Sequence, residues 1–332
     1  MKNEKMIFGI NKRLVISDVD DTLAYPYMLA SDDIIKGLNN LLKRGIGLFF
    51  VSGQGIANIR QRIIDRLDPG SRYRILVGTC SGAEVWGFDE RGELLPRPFY
   101  SKYEEAFNDE MKAKWREAVK EVIEKFQFKI YETMPKPRFR EASGCDFKSI
   151  MYEDRGPQIT FEVVNSCSLN DDQISRYESF LGCTLKSRDL RAAIVEYANK
   201  LFEKYSLPVT ARLAGNFAVD LAVRGVTKTT AVKFALYSGK CISSLGLTPD
   251  ELKDPEIIEI WGDKFSAVNG GTDRHICEAV PNEVKSIDFR HEPECELPSE
   301  YNINIWDGDT ALCEAVEEYM ERSGLIEKRE SL

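Results

Sequence analysis

Histidine is nearly absent: His275 and His291 are the only two in 332 residues, and neither stands in a serine or cysteine nucleophile pattern. Catalysis built on a histidine base therefore has few candidates. Basic charge is also in short supply, with 45 lysines and arginines against 54 aspartates and glutamates and a formal net charge of -9. A phosphate backbone demands basic stripes, so nucleic acid is not an expected partner. No apolar run approaches the roughly 20 residues that cross a bilayer. The opening Met-Lys-Asn-Glu-Lys-Met-Ile-Phe carries no extended signal core, and the expectation is a cytoplasmic protein without a membrane partner. The eight cysteines, at 80, 145, 167, 183, 241, 277, 295 and 313, include no C-x-x-C pair. Their spacing argues against a zinc cluster or disulfide framework and for reduced, packed thiols. Internal repeats and low-complexity tracts are missing too.

What the chain does have is Leu14-Val-Ile-Ser-Asp-Val-Asp-Asp-Thr-Leu23. A short apolar run of this kind reads as a buried strand, and in open parallel α/β sheets ligands bind beyond the carboxyl ends of the strands. Asp18 and Asp20 then stand at the mouth of a site. Two adjacent carboxylates repel one another unless one is protonated or a cation lies between them, and Mg2+ with oxygen ligands is the usual answer beside phosphate. Asp18 is the expected nucleophile, able to attack phosphorus and form an aspartyl-phosphate. Asp20 is the expected general acid and base. The structural alternative is a polar turn with Thr22 capping a helix.

With this motif the chain resembles the haloacid dehalogenase superfamily of phosphohydrolases, and three further segments match in the expected order. Leu48-Phe-Phe-Val-Ser52-Gly53 is similar to the second motif, Gly225-Val-Thr-Lys228 to the third, and Ile257-Ile-Glu-Ile-Trp-Gly-Asp263 followed by Asn269-Gly-Gly-Thr-Asp273 to the fourth. The resemblance implies that Ser52 binds the transferring phosphoryl oxygen and that Lys228 neutralises charge on Asp18 and phosphate. It implies Mg2+ ligands from Asp18, Asp20, Asp263 and Asp273, the last alternatively orienting Lys228 or a metal-bound water. Thr22, Gly53, Arg138 and Arg155 complete the expected phosphate or substrate contacts. The long fourth motif is similar to the phosphomannomutase branch, although Thr272 stands where that branch usually has asparagine.

Along the chain, strands expected at 14–17, 46–51 and 74–78 alternate with helices at about 32–44 and 55–67, a βαβα pattern that implies a parallel sheet. A hairpin is expected through Asp89-Glu-Arg-Gly92. The pattern changes after Pro96-Arg-Pro98. Lys102–Phe126 reads as a long helix with Trp115, Val119, Val122 and Phe126 on a packing stripe. Further strands and helices through about 223 suggest helices over one antiparallel sheet. The fold class is thus α/β, a Rossmann-like parallel-sheet core with an inserted α+β cap. The core is assigned to 1–95 and 210–332 and the substrate-specificity cap to 96–209. Asp307-Gly-Asp309 reads as a turn before a terminal helix.

The substrate is less legible. Glu153-Asp-Arg155 through Ser166 resembles the mutase cap segment in which two arginines grip a distal phosphate, with Arg155 on the first position and serine on the second. Losing one guanidinium removes a bidentate clamp that serine cannot replace. Ala24 stands near where the mutase branch carries another arginine, and Asp21 where it has glycine. These departures favour a Mg2+-dependent phosphatase of a small phosphorylated metabolite, most plausibly a sugar phosphate. A hexose-phosphate mutase and a catalytically silent binding protein are the alternatives. Lys136, Arg138 and Arg140 are expected on a cap loop, either as anion contacts or simply solvated. A monomer or a small homo-oligomer fits the acidic surface.

Overall fold

A computed structural model describes residues 6–164, 169–182, 184–185, 187–215, 217–268 and 270–327. Ser166, Cys167, Cys183 and Asn269 lie outside the described residues. The chain divides into two compact units, Met1–Ser101 with Val226–Leu332, and Lys102–Gly225.

The first unit opens with β1 (Leu14–Ser17), α1 (Asp32–Lys43), β2 (Gly47–Val51), α2 (Ile56–Arg62), β3 (Ile75–Thr79), β4 (Glu84–Gly87) and β5 (Tyr100–Ser101). Ser31 starts α1 by accepting the Ile34 N–H, the cap role that Thr22 does not play, and Asp32 and Asp33 follow in its first turn, where the helix dipole favours acids. Helix α2 is shorter than expected because Ile63 leaves helical geometry at φ -132° and ψ -62°.

The second unit contains α3 (Lys102–Ala106), α4 (Asp109–Phe126), β6 (Lys129–Tyr131), α5 (Lys136–Ser143), β7 (Ser149–Asp154), β8 (Gln158–Val163), α6 (Asp171–Leu181), α7 (Leu190–Lys204), β9 (Val209–Ala214) and β10 (Ala218–Val223). Its sheet runs β6-β7-β8-β10-β9. All neighbours pair antiparallel except β6 with β7, which is parallel and departs from the expected all-antiparallel sheet. Because β9 pairs with β10 and β10 with β8, the boundary expected at 209/210 falls at 225/226 and that at 95/96 at 101/102. The stripe Trp115, Val119, Val122 and Phe126 is buried. Lys136, Arg138 and Arg140 lie on helix α5, not on a loop. Prolines 135 and 137 fall at its start, where a missing N–H costs no helical bond, and Gly144 ends it at φ 60°.

The chain then completes the first unit with α8 (Lys228–Tyr237), α9 (Gly239–Ser244), β11 (Ile258–Gly262), α10 (Arg274–Cys277), β12 (Lys285–Asp288), β13 (Ile303–Ile305) and α11 (Leu312–Arg322). Strands run in the order β13-β12-β11-β1-β2-β3-β4-β5, parallel from β13 to β3 and antiparallel beyond. Alternate residues feed two cores, as the strand period of two requires. Val15, Leu48, Phe50 and Val77 join the side chains of α1 and α11, while Leu14, Ile16, Phe49 and Val51 join those of α8 and α9. Among described cysteines, Cys80, Cys241, Cys277 and Cys313 are buried and Cys145 and Cys295 exposed, with no disulfide. No described helix is long and apolar enough to cross a membrane.

Candidate active site

The centre of the large sheet is where the connections diverge, β2 lying on one side of β1 and β11 on the other. Such a switch point leaves a crevice beyond the carboxyl ends of the strands. Leu14 sits opposite Ile258 and Ser17 opposite Trp261, so the residues that follow the two strands emerge together. The Asp18 N–H extends the pairing by donating to the Trp261 carbonyl at 2.9 Å.

Ligand oxygens of Asp18, Asp263 and Asp273 lie within 4.8 Å of one another, and all three residues are buried. Asp273 returns to this point because its Oδ2 accepts the N–H groups of Asp263 at 3.0 Å and Lys264 at 2.9 Å. A Cβ on Gly262 would stand 2.8 Å from the same oxygen, so the approach needs a glycine there. Lys228, the first residue of α8, donates to Asp18 Oδ1 and, at 2.8 Å, to Asp273 Oδ1. Its entry is set by Gly82, at φ 101°, where a Cβ would stand 2.0 Å from the Thr227 carbonyl oxygen. Thr22 donates to Asp263 Oδ1 at 3.4 Å.

Asp20 keeps its carboxylate out of the three-acid cluster in which it was expected as a ligand. One oxygen accepts from Arg62 Nη1 at 2.7 Å and the other from the Ser52 hydroxyl at 3.2 Å. Ser52 also accepts the Gln54 N–H at 3.0 Å, with Gly53 between them. Two arginines escaped the sequence reading. Arg62 is one, and Arg290 is the other. Arg290 Nε donates to Asp263 Oδ2 at 2.9 Å, and its Nη2 reaches Asp263 and, at 3.0 Å, Asp21. A lone arginine carries no motif; the only advance signal was the surplus acid at Asp21.

The sequence matches no protein-family model and no curated protein. Solved structures do match. The C-terminal domain of C. albicans trehalose-6-phosphate phosphatase aligns over 95% of this chain and 94% of its own, at 13% identity and a TM-score of 0.55. The chain thus shares the fold of that domain. A Eubacterium rectale protein aligns over 94% of this chain and 99% of its own, at 15% identity and a TM-score of 0.50. BT1666 of Bacteroides thetaiotaomicron, described among phosphatases of the haloalkanoate (HAD) enzyme superfamily, aligns over 98% of this chain and 100% of its own at 13% identity and a TM-score of 0.49.

The clustered acids are electrostatically frustrated. Burial pushes the Asp18 carboxyl up to about 7, against the pull of the Lys228 ammonium and with Asp273 and Asp20 adding to the rise. Burial and then Asp273 and Asp18 hold Asp263 well above the usual carboxylate range despite Arg290. Lys228 is held above its ordinary value by the two aspartates, which outweigh its burial. Among the described residues, Asp18, Asp20, Asp21, Asp263 and Asp273 are joined in ion pairs to three cations, Lys228, Arg62 and Arg290. Two formal negative charges are left over, the complement of one divalent cation. An all-oxygen donor set of this kind suits Mg2+, so the residues present fit the metal expected from the sequence.

The remaining expected contacts belong to the second unit. Arg155 is buried and donates to Glu153 Oε2 at 2.6 Å. Arg138 is exposed on α5. Lys136 donates to the Val163 carbonyl and lies 4.1 Å over the Phe217 ring, where burial lowers its pKa to about 8.

Proposed function

We propose that this chain is a Mg2+-dependent phosphatase of a small phosphorylated metabolite, best fitted by a sugar phosphate, acting through an aspartyl-phosphate. The observation that carries the reading is the buried Lys228 ammonium shared by Asp18 and Asp273 at the head of the central strands. An ammonium in that place orients Asp18 and offsets the charge of an approaching phosphoryl group, an effect that is strongest where water is excluded. An Asp18 oxygen attacks phosphorus while the bond from phosphorus to the leaving oxygen breaks, and Asp20 delivers a proton to that oxygen. Water then attacks phosphorus, Asp20 takes its proton, and the bond to Asp18 breaks to release phosphate. Ser52 is the expected donor to a phosphoryl oxygen. Mg2+ held by Asp18, Asp263 and Asp273 would supply further neutralisation of the phosphoryl oxygens. The second unit would select the leaving group, with Arg155 and Arg138 as its candidate contacts.

The test is phosphate release from a panel of sugar phosphates and 4-nitrophenyl phosphate, with and without Mg2+, using Asp18→Asn as the blank. Metal-dependent release that vanishes in the variant is expected, and the panel ranks the substrates. Absence of release from every compound, with metal bound, overturns the hydrolase. Isomerisation dependent on a hexose 1,6-bisphosphate would then identify a mutase, and its absence a silent scaffold.

A further inference from the structure

Arg62 ends α2 and is 3% exposed. Its Nε donates to the Met28 carbonyl at 2.8 Å, its Nη2 to the carbonyls of Ala24 at 3.1 Å and Tyr25 at 2.8 Å, and its Nη1 to Asn58 Oδ1 at 2.9 Å. Those four bonds tie the segment after the first motif to α2, and a purely structural arginine would need no more. The fifth goes elsewhere: Nη1 also meets Asp20 Oδ1 at 2.7 Å.

The turn between these points is tight. Asp21 adopts φ 65°, its N–H donates to the Ala24 carbonyl at 3.0 Å, and that carbonyl also accepts from Arg62. One guanidinium therefore grips both the Asp20 carboxylate and the far side of the turn that carries it. Ser52 holds the other Asp20 oxygen at 3.2 Å. A planar fork can hold two acceptors at fixed angles, which an ammonium cannot. We propose that Arg62 is the positioning residue for Asp20, fixing the carboxyl that transfers the proton to the leaving oxygen. This rests on the phosphatase reading above.

Proton transfer demands heavy-atom distances of about 2.6–3.2 Å, and a carboxyl that swings free loses that advantage. In the first half-reaction the loss depends on the substrate; in the second, Asp20 takes the proton of water whatever the leaving group was, and that step enters kcat but not kcat/KM. When the phosphorus–oxygen bond of a hexose phosphate breaks, its electron pair stays on an alkoxide that needs the proton from Asp20. The 4-nitrophenolate is a stable anion and leaves without one. An arginine that only holds the fold would, when removed, depress both substrates alike.

The experiment compares wild type, Arg62→Met, Arg62→Lys and Asp20→Asn on a hexose phosphate and on 4-nitrophenyl phosphate with saturating Mg2+, with thermal unfolding to verify the fold. For Arg62→Met we expect kcat/KM on the hexose phosphate, which reports the steps up to departure of the leaving group, to fall about 10- to 100-fold, part of the roughly 10²–10⁴-fold that general acid catalysis contributes. On the aryl phosphate the fall in kcat/KM should be within about threefold, since the leaving group needs no proton, while kcat there can fall further through the shared hydrolysis of the aspartyl-phosphate. Asp20→Asn should show the same selectivity more strongly, and Arg62→Lys a partial return. Equal losses of kcat/KM on both substrates, or no loss on either, overturn the proposal. If Arg62→Met does not fold, Arg62→Lys decides: a loss of kcat/KM confined to the hexose phosphate supports the role, and any other pattern removes it. Wild type that releases no phosphate fails the phosphatase reading first, an outcome distinct from an active enzyme indifferent to Arg62.

Discussion

Asp18 folds into a place where its charged form is unwelcome. Its ordinary pKa of 3.8 rises to about 7 through burial. The folded protein thus holds a proton that the unfolded chain releases at lower pH. The stability this contributes is complete below the unfolded value and is lost as pH rises through the folded one. Asparagine is a neutral stand-in that does not titrate. In the absence of divalent cations, the unfolding midpoint of Asp18→Asn should therefore gain on wild type steadily between about pH 4 and pH 7. A difference that stays flat across that window would remove this account of Asp18. The residues of the site were legible in unequal measure. Asp18 and Asp263 could be read because each follows a buried strand, apolar throughout its core before Asp18 and interrupted only by Glu259 before Asp263, and the carboxyl end of a buried strand is itself a prediction of place. The partners Arg62 and Arg290 could not, because a guanidinium reaches its acid across the fold and nothing local marks it.

At the scale of elements, α8 depends on the turn at Gly82. A methyl group there would strike the Thr227 carbonyl at 2.0 Å, in a backbone region that side chains rarely adopt. Gly144, at φ 60° with open space around it, has the conformational difficulty without the collision. Gly144→Ala should cost about 1 kcal/mol, and Gly82→Ala at least about 2 kcal/mol more, because backbone must move. The second variant should also lose turnover, since Lys228 follows Thr227 directly. Chemical denaturation of both variants measures the gap, and similar midpoints would contradict it. Element reading from sequence succeeded where burial had a period and failed where context decided. The basic stretch after Pro135 looked like a loop, yet both of its prolines fall where a helix tolerates them. Strands β9 and β10 announced themselves, but which sheet they join is a matter of long-range pairing that their own residues do not encode.

For the molecule as a whole, the two unbalanced negative charges mean that, under the proposed function, metal and fold would stabilise one another. Under the proposed function, Mg2+ at about a hundred times its Kd should add about 2.7 kcal/mol to unfolding free energy. Asp263→Asn should abolish that increment, and calorimetry with and without EDTA reads both. A variant that keeps the full increment would place the cation elsewhere. The central pairing of β1 with β11 has one more consequence, for the order in which the chain is made. Leu14 meets Ile258 only after all of the second unit has been synthesised between them. On a ribosome, Asp18 emerges early and waits, while Lys102–Gly225 can close upon itself because its strands pair among themselves. Pairing over such a separation is slow and entropically costly. The half-built sheet, with the edge of β1 bare, is therefore the stage at which a nascent chain most needs protection, and the catalytic centre is among the last things in the molecule to exist.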